Sequence, residues 1–261
     1  MRSLSLVILL PLAGCLTPAG EPTPVRVTLD EGQFLVGDVN EGLLTLDSPL
    51  GALDIPLADI GEVEPVEGQD LAGSGDHVRV WLRDGSELVG RWSEPELDVD
   101  IAIGGGVTAV ALPMAQVQRL QLTGEAAFPD AGTFRVKTAF GDDVFVDAAE
   151  TVLPLDTQLG QLSPLLQEIE SLRPLDDQGR WRVQLTTGTV LNGTIATDTL
   201  TLSLRLGPPS IEVGVDDLLA VDRMTYEPSL WSAPSPAEAM AEEDGWYDIN
   251  ASGMSSQKRR Q

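Results

Sequence analysis

From Val25 onward, apolar and polar residues alternate in short runs. Val25, Val27 and Leu29 are separated by Arg26 and Thr28, the period of two that marks a strand with one buried face. Asp30-Glu31-Gly32 reads as a tight turn, after which Leu35, Gly37 and Val39 continue the inward face. Leu44 and Leu46 predict a third strand. Leu53, Ile55, Leu57, Ile60 and Val63 close the pattern through Ile55-Pro56-Leu57-Ala58-Asp59-Ile60.

The pattern returns three times at a spacing near fifty residues. VRVWLRDGSELVGRW starts at Val78, FRVKTAFGDDVFVD at Phe134 and WRVQLTTGTVLNGTI at Trp181. A shift of 109 carries Val25 to Phe134, Gly32 to Gly141, Gly51 to Gly160 and Ile60 to Ile169 without a gap. Shifts of 53 and 156 carry Gly32 and Gly37 to Gly85 and Gly90, and to Gly188 and Gly193. Such self-similarity precedes any reading of the fold. It predicts β repeats over 25–66, 78–123, 133–174 and 180–224.

Several positions carry specific expectations. Arg83-Asp84-Gly85 is a strong hairpin signal. Gly37, Gly90 and Gly193 fall inside strands, where glycine marks a bend or a close approach of another backbone. Pro56 and Pro113 require an edge or a break, and Gly104-Gly105-Gly106 predicts a hairpin tip. In LSPLLQEIESLRP of the third repeat, Ser163 can cap and Pro164 suits a first helical position. Leu162, Leu165, Leu166, Ile169 and Leu172 share one helical face, predicting a short helix.

The order strand, Asp-Gly turn, Leu-x-Gly bend, Leu-x-Leu, then Ile-Pro-Leu-x-Asp-Ile resembles Sm-like and SH3-like small β-barrels, most clearly in VRVWLRDGSELVG and IPLADI. The resemblance implies an all-β chain of four tandem units of ~45–55 residues. Units so small rarely stand alone without disulfides or metals, so the four are expected to pack on one another, as the pairs 25–123 and 133–224. A four-bladed β-propeller is the alternative architecture. RNA-binding Sm-like proteins carry Asn and Arg-Gly loop residues on a basic surface, whereas the corresponding loops here read LDSPLGALD and RLGPPSIE. The resemblance therefore implies shape and not RNA binding.

Charge sharpens that exclusion. The formal net charge is −25, with 41 acidic against 16 basic side chains. Phosphate backbones are held by clustered Lys and Arg that displace counterions, so nucleic acid is not an expected partner. The same sign repels an anionic bilayer surface.

Before the repeats, residues 1–15 read MRSLSLVILLPLAGC. One positive residue, Arg2, precedes an apolar stretch from Leu4 to Leu12, far short of the ~20 residues a spanning helix needs. Leu12-Ala13-Gly14-Cys15 resembles the lipobox of bacterial lipoproteins. The resemblance implies a signal peptide over 1–14, cleavage before Cys15, a diacylglycerol thioether on its sulfur and an acyl chain, such as palmitate, on its new amine. Cys15 is the sole cysteine, and lipidation gives an unpaired exported cysteine a purpose. Several acyl chains would hold the protein firmly where one holds only marginally. Residues 15–24 then form a tether. Leu16 in place of Asp implies, by resemblance to sorted lipoproteins, an outer-membrane location facing the periplasm of a bacterial cell envelope.

Candidate chemistry is sparse. His77 is the one histidine and is expected in a loop; neither a triad nor a two-histidine metal site can be built from it within one chain. The acidic doublets Asp142-Asp143, Asp176-Asp177 and Asp216-Asp217 fall where turns are expected, and no stretch has EF-hand spacing. Beyond the covalent lipid no cofactor or metal is indicated. Arg26, Arg79, Arg135 and Arg182 hold the second position of each repeat's first strand. They read as four equivalent docking points for a partner, or as partners in cross-strand ion pairs reproduced by duplication. Residues 225–261 turn to Pro, Ser, Ala and Glu, the composition of a disordered tail, in which Trp246-Tyr247 is a candidate docking element. These features favour a non-enzymatic, lipid-anchored scaffold or interaction module for a protein or envelope polymer. A carboxylate-dependent envelope hydrolase and a purely structural spacer are the alternatives.

Overall fold

The computed structural model describes residues 22–224, apart from 30–31, 41, 67–76, 95 and 148–150. The signal peptide, Cys15, most of the tether and the 225–261 tail with Trp246 and Tyr247 lie outside the described residues. No helix among the described residues is long and apolar enough to cross a membrane.

The described chain is predominantly β. A first segment holds β1 (Thr23–Leu29), β2 (Phe34–Val39), β3 (Leu43–Ser48), β4 (Gly51–Pro56) and β5 (Ile60–Pro65). A second holds β6 (His77–Leu82), β7 (Glu87–Trp92), β8 (Glu96–Ile103), β9 (Gly106–Pro113) and β10 (Val117–Leu122). A third holds β11 (Phe134–Thr138), β12 (Asp143–Asp147), β13 (Leu155–Thr157), β14 (Gly160–Leu162) and β15 (Ile169–Pro174). The fourth holds β16 (Arg180–Leu185), β17 (Val190–Ile195), β18 (Thr199–Leu204), β19 (Ser210–Gly214) and β20 (Leu218–Arg223). A three-residue 3-10 turn precedes the last strand of each segment, at Leu57–Asp59, Met114–Gln116, Leu166–Glu168 and Val215–Asp217. All the strands join one antiparallel sheet.

Two local expectations are corrected. The third segment has no α-helix over 162–172; Leu166–Glu168 is a 3-10 turn and Ile169–Pro174 is strand. The pairing register shifts between Ile169 and Ser171. Such a bulge adds one residue, so Ile169 and Leu172, three apart, both face the core. A bulged strand thereby imitates helical spacing. His77 does not sit in a loop: it opens β6, opposite Arg91.

The strands of successive segments interlock. Each of the four segments pairs its first strand with its second, as in β1 with β2, and its third with its fourth, as in β3 with β4. Its other pairings run to the neighbour. β1 pairs β10 and β6 pairs β5, with β5 and β10 side by side. β2 meets β8 and β7 meets β3. The resulting order is β9-β8-β2-β1-β10-β5-β6-β7-β3-β4. The third and fourth segments repeat it as β14-β13-β17-β16-β15-β20-β11-β12-β18-β19.

The strand glycines stand where second strands cross the neighbour's third. A Cβ on Gly37 would lie 2.4 Å from the Asp100 carbonyl oxygen, on Gly90 2.7 Å from that of Asp47, and on Gly193 2.4 Å from that of Asp156. Only a residue without a side chain lets these backbones approach so closely. Inward positions of both pairs of segments, from Val25 to Val221, join one apolar core that includes Trp92 and Trp181.

Candidate functional site

The two interlocked pairs meet where β7 approaches β12, with Glu87 opposite Asp143. The contact has an approximate two-fold character, because corresponding residues exchange corresponding bonds. The Val89 N–H donates to Asp142 Oδ1 at 2.8 Å, and the Phe145 N–H donates to Ser86 Oγ at 2.9 Å. Val89 corresponds to Phe145, and Ser86 to Asp142, under one shift of the sequence. Ser86 and Asp142 are fully buried. Asp142 also accepts the Thr138 hydroxyl at 2.8 Å, so its carboxylate is well supplied with donors.

A hairpin turn closes over the junction. The Gly207 N–H, in the β18–β19 turn, donates to Asp59 Oδ2 at 2.9 Å, and Gly207 lies against Leu82 and Ile55 of the other pair. Leu206 of that turn and Leu50 of the β3–β4 turn both pack against the core. The connecting stretch is held as well: the Ala127 N–H donates to the Arg83 carbonyl, and Arg83 donates to the Thr123 carbonyl at 2.8 Å. Arg205 pairs with Asp130 at 3.0 Å.

Burial dominates the acid–base character of this region. It pushes the Asp142 carboxyl above its ordinary value, opposed by the Val89 amide and the Thr138 hydroxyl. Burial likewise raises Asp84, opposed by Ser86 and by the charge of Arg205. Glu87 is raised by burial against the pull of Arg79. At the neighbouring β5 surface Glu62 is raised by burial and by Glu64, against Arg119.

The four strand arginines are distributed along the sheet. Arg79 Nε lies 2.6 Å from Glu87, and its guanidinium lies 5.7 Å from the centre of the Trp81 ring. Arg135 binds both oxygens of Asp143, at 2.7 and 2.6 Å, beside Lys137 at 3.4 Å. The hydrogen bond to Asp143 raises the Arg135 guanidinium. Arg26 stacks over Phe34 at 4.8 Å. Arg182 is exposed, opposite Asn192 on one side and Arg173 on the other. Only Arg79 and Arg135 come together, flanking the Glu87–Asp143 pair.

An open groove of about 610 Å³ lies along the end of β12 and the start of β18. Its wall combines Asp147 with the hydroxyls of Thr151, Thr197, Thr199, Thr201 and Ser203, over Val152, Pro154 and Leu200. Such a lining offers hydrogen bonds to a polar chain, with a single carboxylate among the described lining residues. Among those residues no cluster of His, Cys, Asp and Glu has the geometry of a metal site.

Sequence reasoning passed over Ser86, Asp142 and the groove hydroxyls. Asp142 belonged to an acidic doublet at a turn, and nothing local distinguishes a turn residue in water from one sealed beneath another strand. Nothing among known protein families, curated proteins or solved structures matches this chain.

Proposed function

We propose that this protein is a lipid-anchored envelope lipoprotein that acts as a non-enzymatic interaction scaffold. In this reading Cys15 carries the acyl chains, and four copies of one small-barrel-like unit, interlocked in pairs, are presented to the periplasm. The observation that carries it is a free strand edge bearing apolar side chains. Phe34 and Val36 of β2 are 58 % and 61 % exposed, and along Phe34–Val36 the strand has a partner only on its β1 side among the described residues. Unpaired edges accept an added strand, with backbone hydrogen bonds for affinity and alternate side chains for selectivity. The hydroxyl-lined groove supports an envelope polymer as a further class of ligand.

The test is an affinity pull-down from detergent-solubilised envelope with the lipidated chain and with a version ending at Glu227, read by mass spectrometry. A saturable partner, absent from an unrelated lipoprotein bait, supports the scaffold; its loss on truncation assigns binding to the Trp246-Tyr247 region. Recovery of nothing above the controls contradicts the reading and favours a spacer.

A further inference from the structure

The junction between the two interlocked pairs is built from positions that recur at both ends of the molecule, and there they are uncovered. At the junction the second-strand residues Val89 and Phe145 are 2 % and 6 % exposed. The corresponding residue of the first segment, Val36, is 61 % exposed. The hairpin turns behave the same way. Leu206, whose turn closes over the junction, and Leu50 of the β3–β4 turn pack against the core. Their counterparts at the ends, Ile103 and Leu159, are 61 % and 81 % exposed.

From this correspondence we infer that the end formed by β2 and the β8–β9 turn binds the same end of a second copy of this chain. The inference rests on the interaction-module reading and names its partner. The internal junction sets corresponding residues opposite each other, Glu87 against Asp143. Two copies of the first end can meet in that way about a true two-fold axis, with Phe34 opposite Phe34, giving a closed dimer.

Chemistry favours this end over the other. Here Phe34 stands where the junction has Glu87 and Asp143, so no acids are brought together, and Arg26 is already stacked on the ring. Ile103 and Val107 add exposed apolar strand residues beside the turn, and the sequence from Ile101 to Gln118 carries no charge in a chain of net charge −25. Gln33 occupies the acceptor position held by Ser86 and Asp142, able to receive the partner's Val36 N–H. At the other end Asn192 replaces the apolar residue and leaves a polar side chain at the equivalent contact position.

The experiment uses the full chain with Cys15→Ser, which removes the only thiol. Sedimentation velocity over a wide concentration range is expected to show a monomer–dimer equilibrium that stops at dimer. Val36→Lys and Ile103→Glu should each weaken it by tenfold or more, while Leu159→Glu leaves it unchanged. Antiparallel partners bring Cα atoms within disulfide reach, so adding Phe34→Cys should give a disulfide-linked dimer under mild oxidation, and adding Val190→Cys instead should not. A monomer at every concentration, open-ended growth, or association sensitive to Leu159→Glu but not to Val36→Lys overturns the inference. A monomer that still recovers a saturable partner from envelope overturns self-association alone, leaving the scaffold reading in place.

Discussion

Asp142 Oδ1 accepts the backbone N–H of Val89 across 2.8 Å and fifty-three positions of sequence, binding one interlocked pair of segments to the other. Replacing Asp142 by Ala removes the acceptor and leaves a buried N–H without a partner, at a cost of about 1–3 kcal/mol. Asp142→Asn keeps an oxygen for Val89 and places an amide beside the Thr138 hydroxyl while removing a buried charge. Urea denaturation at neutral pH is expected to place the Asn variant level with or above the wild type and the Ala variant well below. Equal loss in both would mean the carboxylate charge, rather than the acceptor, holds the junction.

The buried carboxylates also set a pH dependence. Asp84, Asp142, Glu87 and Glu62 are all raised by burial, so the folded state binds protons more readily than the unfolded chain. Their contribution is fully present below the ordinary carboxylate range and is lost as pH rises through the raised values. Asp176, lowered chiefly by its hydrogen bond with Arg180, acts oppositely, but its contribution is lost only as pH falls below the ordinary Asp value. Relief of the net negative charge adds to the first effect. Melting temperature should therefore rise as pH falls from neutrality through the raised carboxyl values toward the ordinary carboxylate range, with a shallower rise in an Asp84→Asn, Asp142→Asn double variant. A fall over that interval would contradict the assignment.

Glycine at the strand crossings is open to a matched comparison. A Cβ at Gly37 would meet the Asp100 carbonyl oxygen at 2.4 Å, whereas one at Gly42 meets nothing within 4 Å. Gly37→Ala is expected to destabilise by about 1–3 kcal/mol through forced strand separation, and Gly42→Ala to be near neutral. Thermal denaturation of the two variants distinguishes a crossing constraint from a general sensitivity to added methyl groups.

Much of the local structure was legible in the chain. Alternation at Val25, Val27 and Leu29 marks a strand, and Gly104-Gly105 closes a hairpin with φ of 62° and 85°. Gly37, Gly90 and Gly193 announced close backbone approach. Ile169 and Leu172 misled, because a bulge gives a strand the spacing of a helix. Strand partnership was not legible. A period of two reports which face is buried, but β1 carries no mark choosing β10 over β5. The junction was hidden for the same reason: charged Glu87 and Asp143 lie at the covered contact, whereas apolar Phe34 and Val190 stand exposed at its uncovered equivalents.

Lipid anchoring has its own expected outcome. Growth with radiolabelled palmitate should label the wild-type protein and sediment it with membranes, whereas Cys15→Ser should lose the label and enter the soluble fraction. An unlabelled wild-type chain that still sediments would remove the anchor from the proposal.

Interlocking of neighbouring segments underlies both the exposed edges and their proposed use, and disulfide trapping tests it most directly. In a Cys15→Ser chain, Arg26→Cys is combined with Gln121→Cys, its direct neighbour across β1 and β10, or with Glu64→Cys on β5. A lone unit closing on itself would bring residues 26 and 64 together. In the interlocked sheet β10 lies between them, and Glu62 rather than Glu64 stands in line with Arg26, so residues 26 and 64 are separated by more than the ~9–10 Å of two strand spacings, beyond disulfide reach. The 26–121 pair is expected to oxidise within the monomer and the 26–64 pair to remain reduced. Ready closure of 26–64, with 26–121 left as thiols, would contradict the interlocked arrangement.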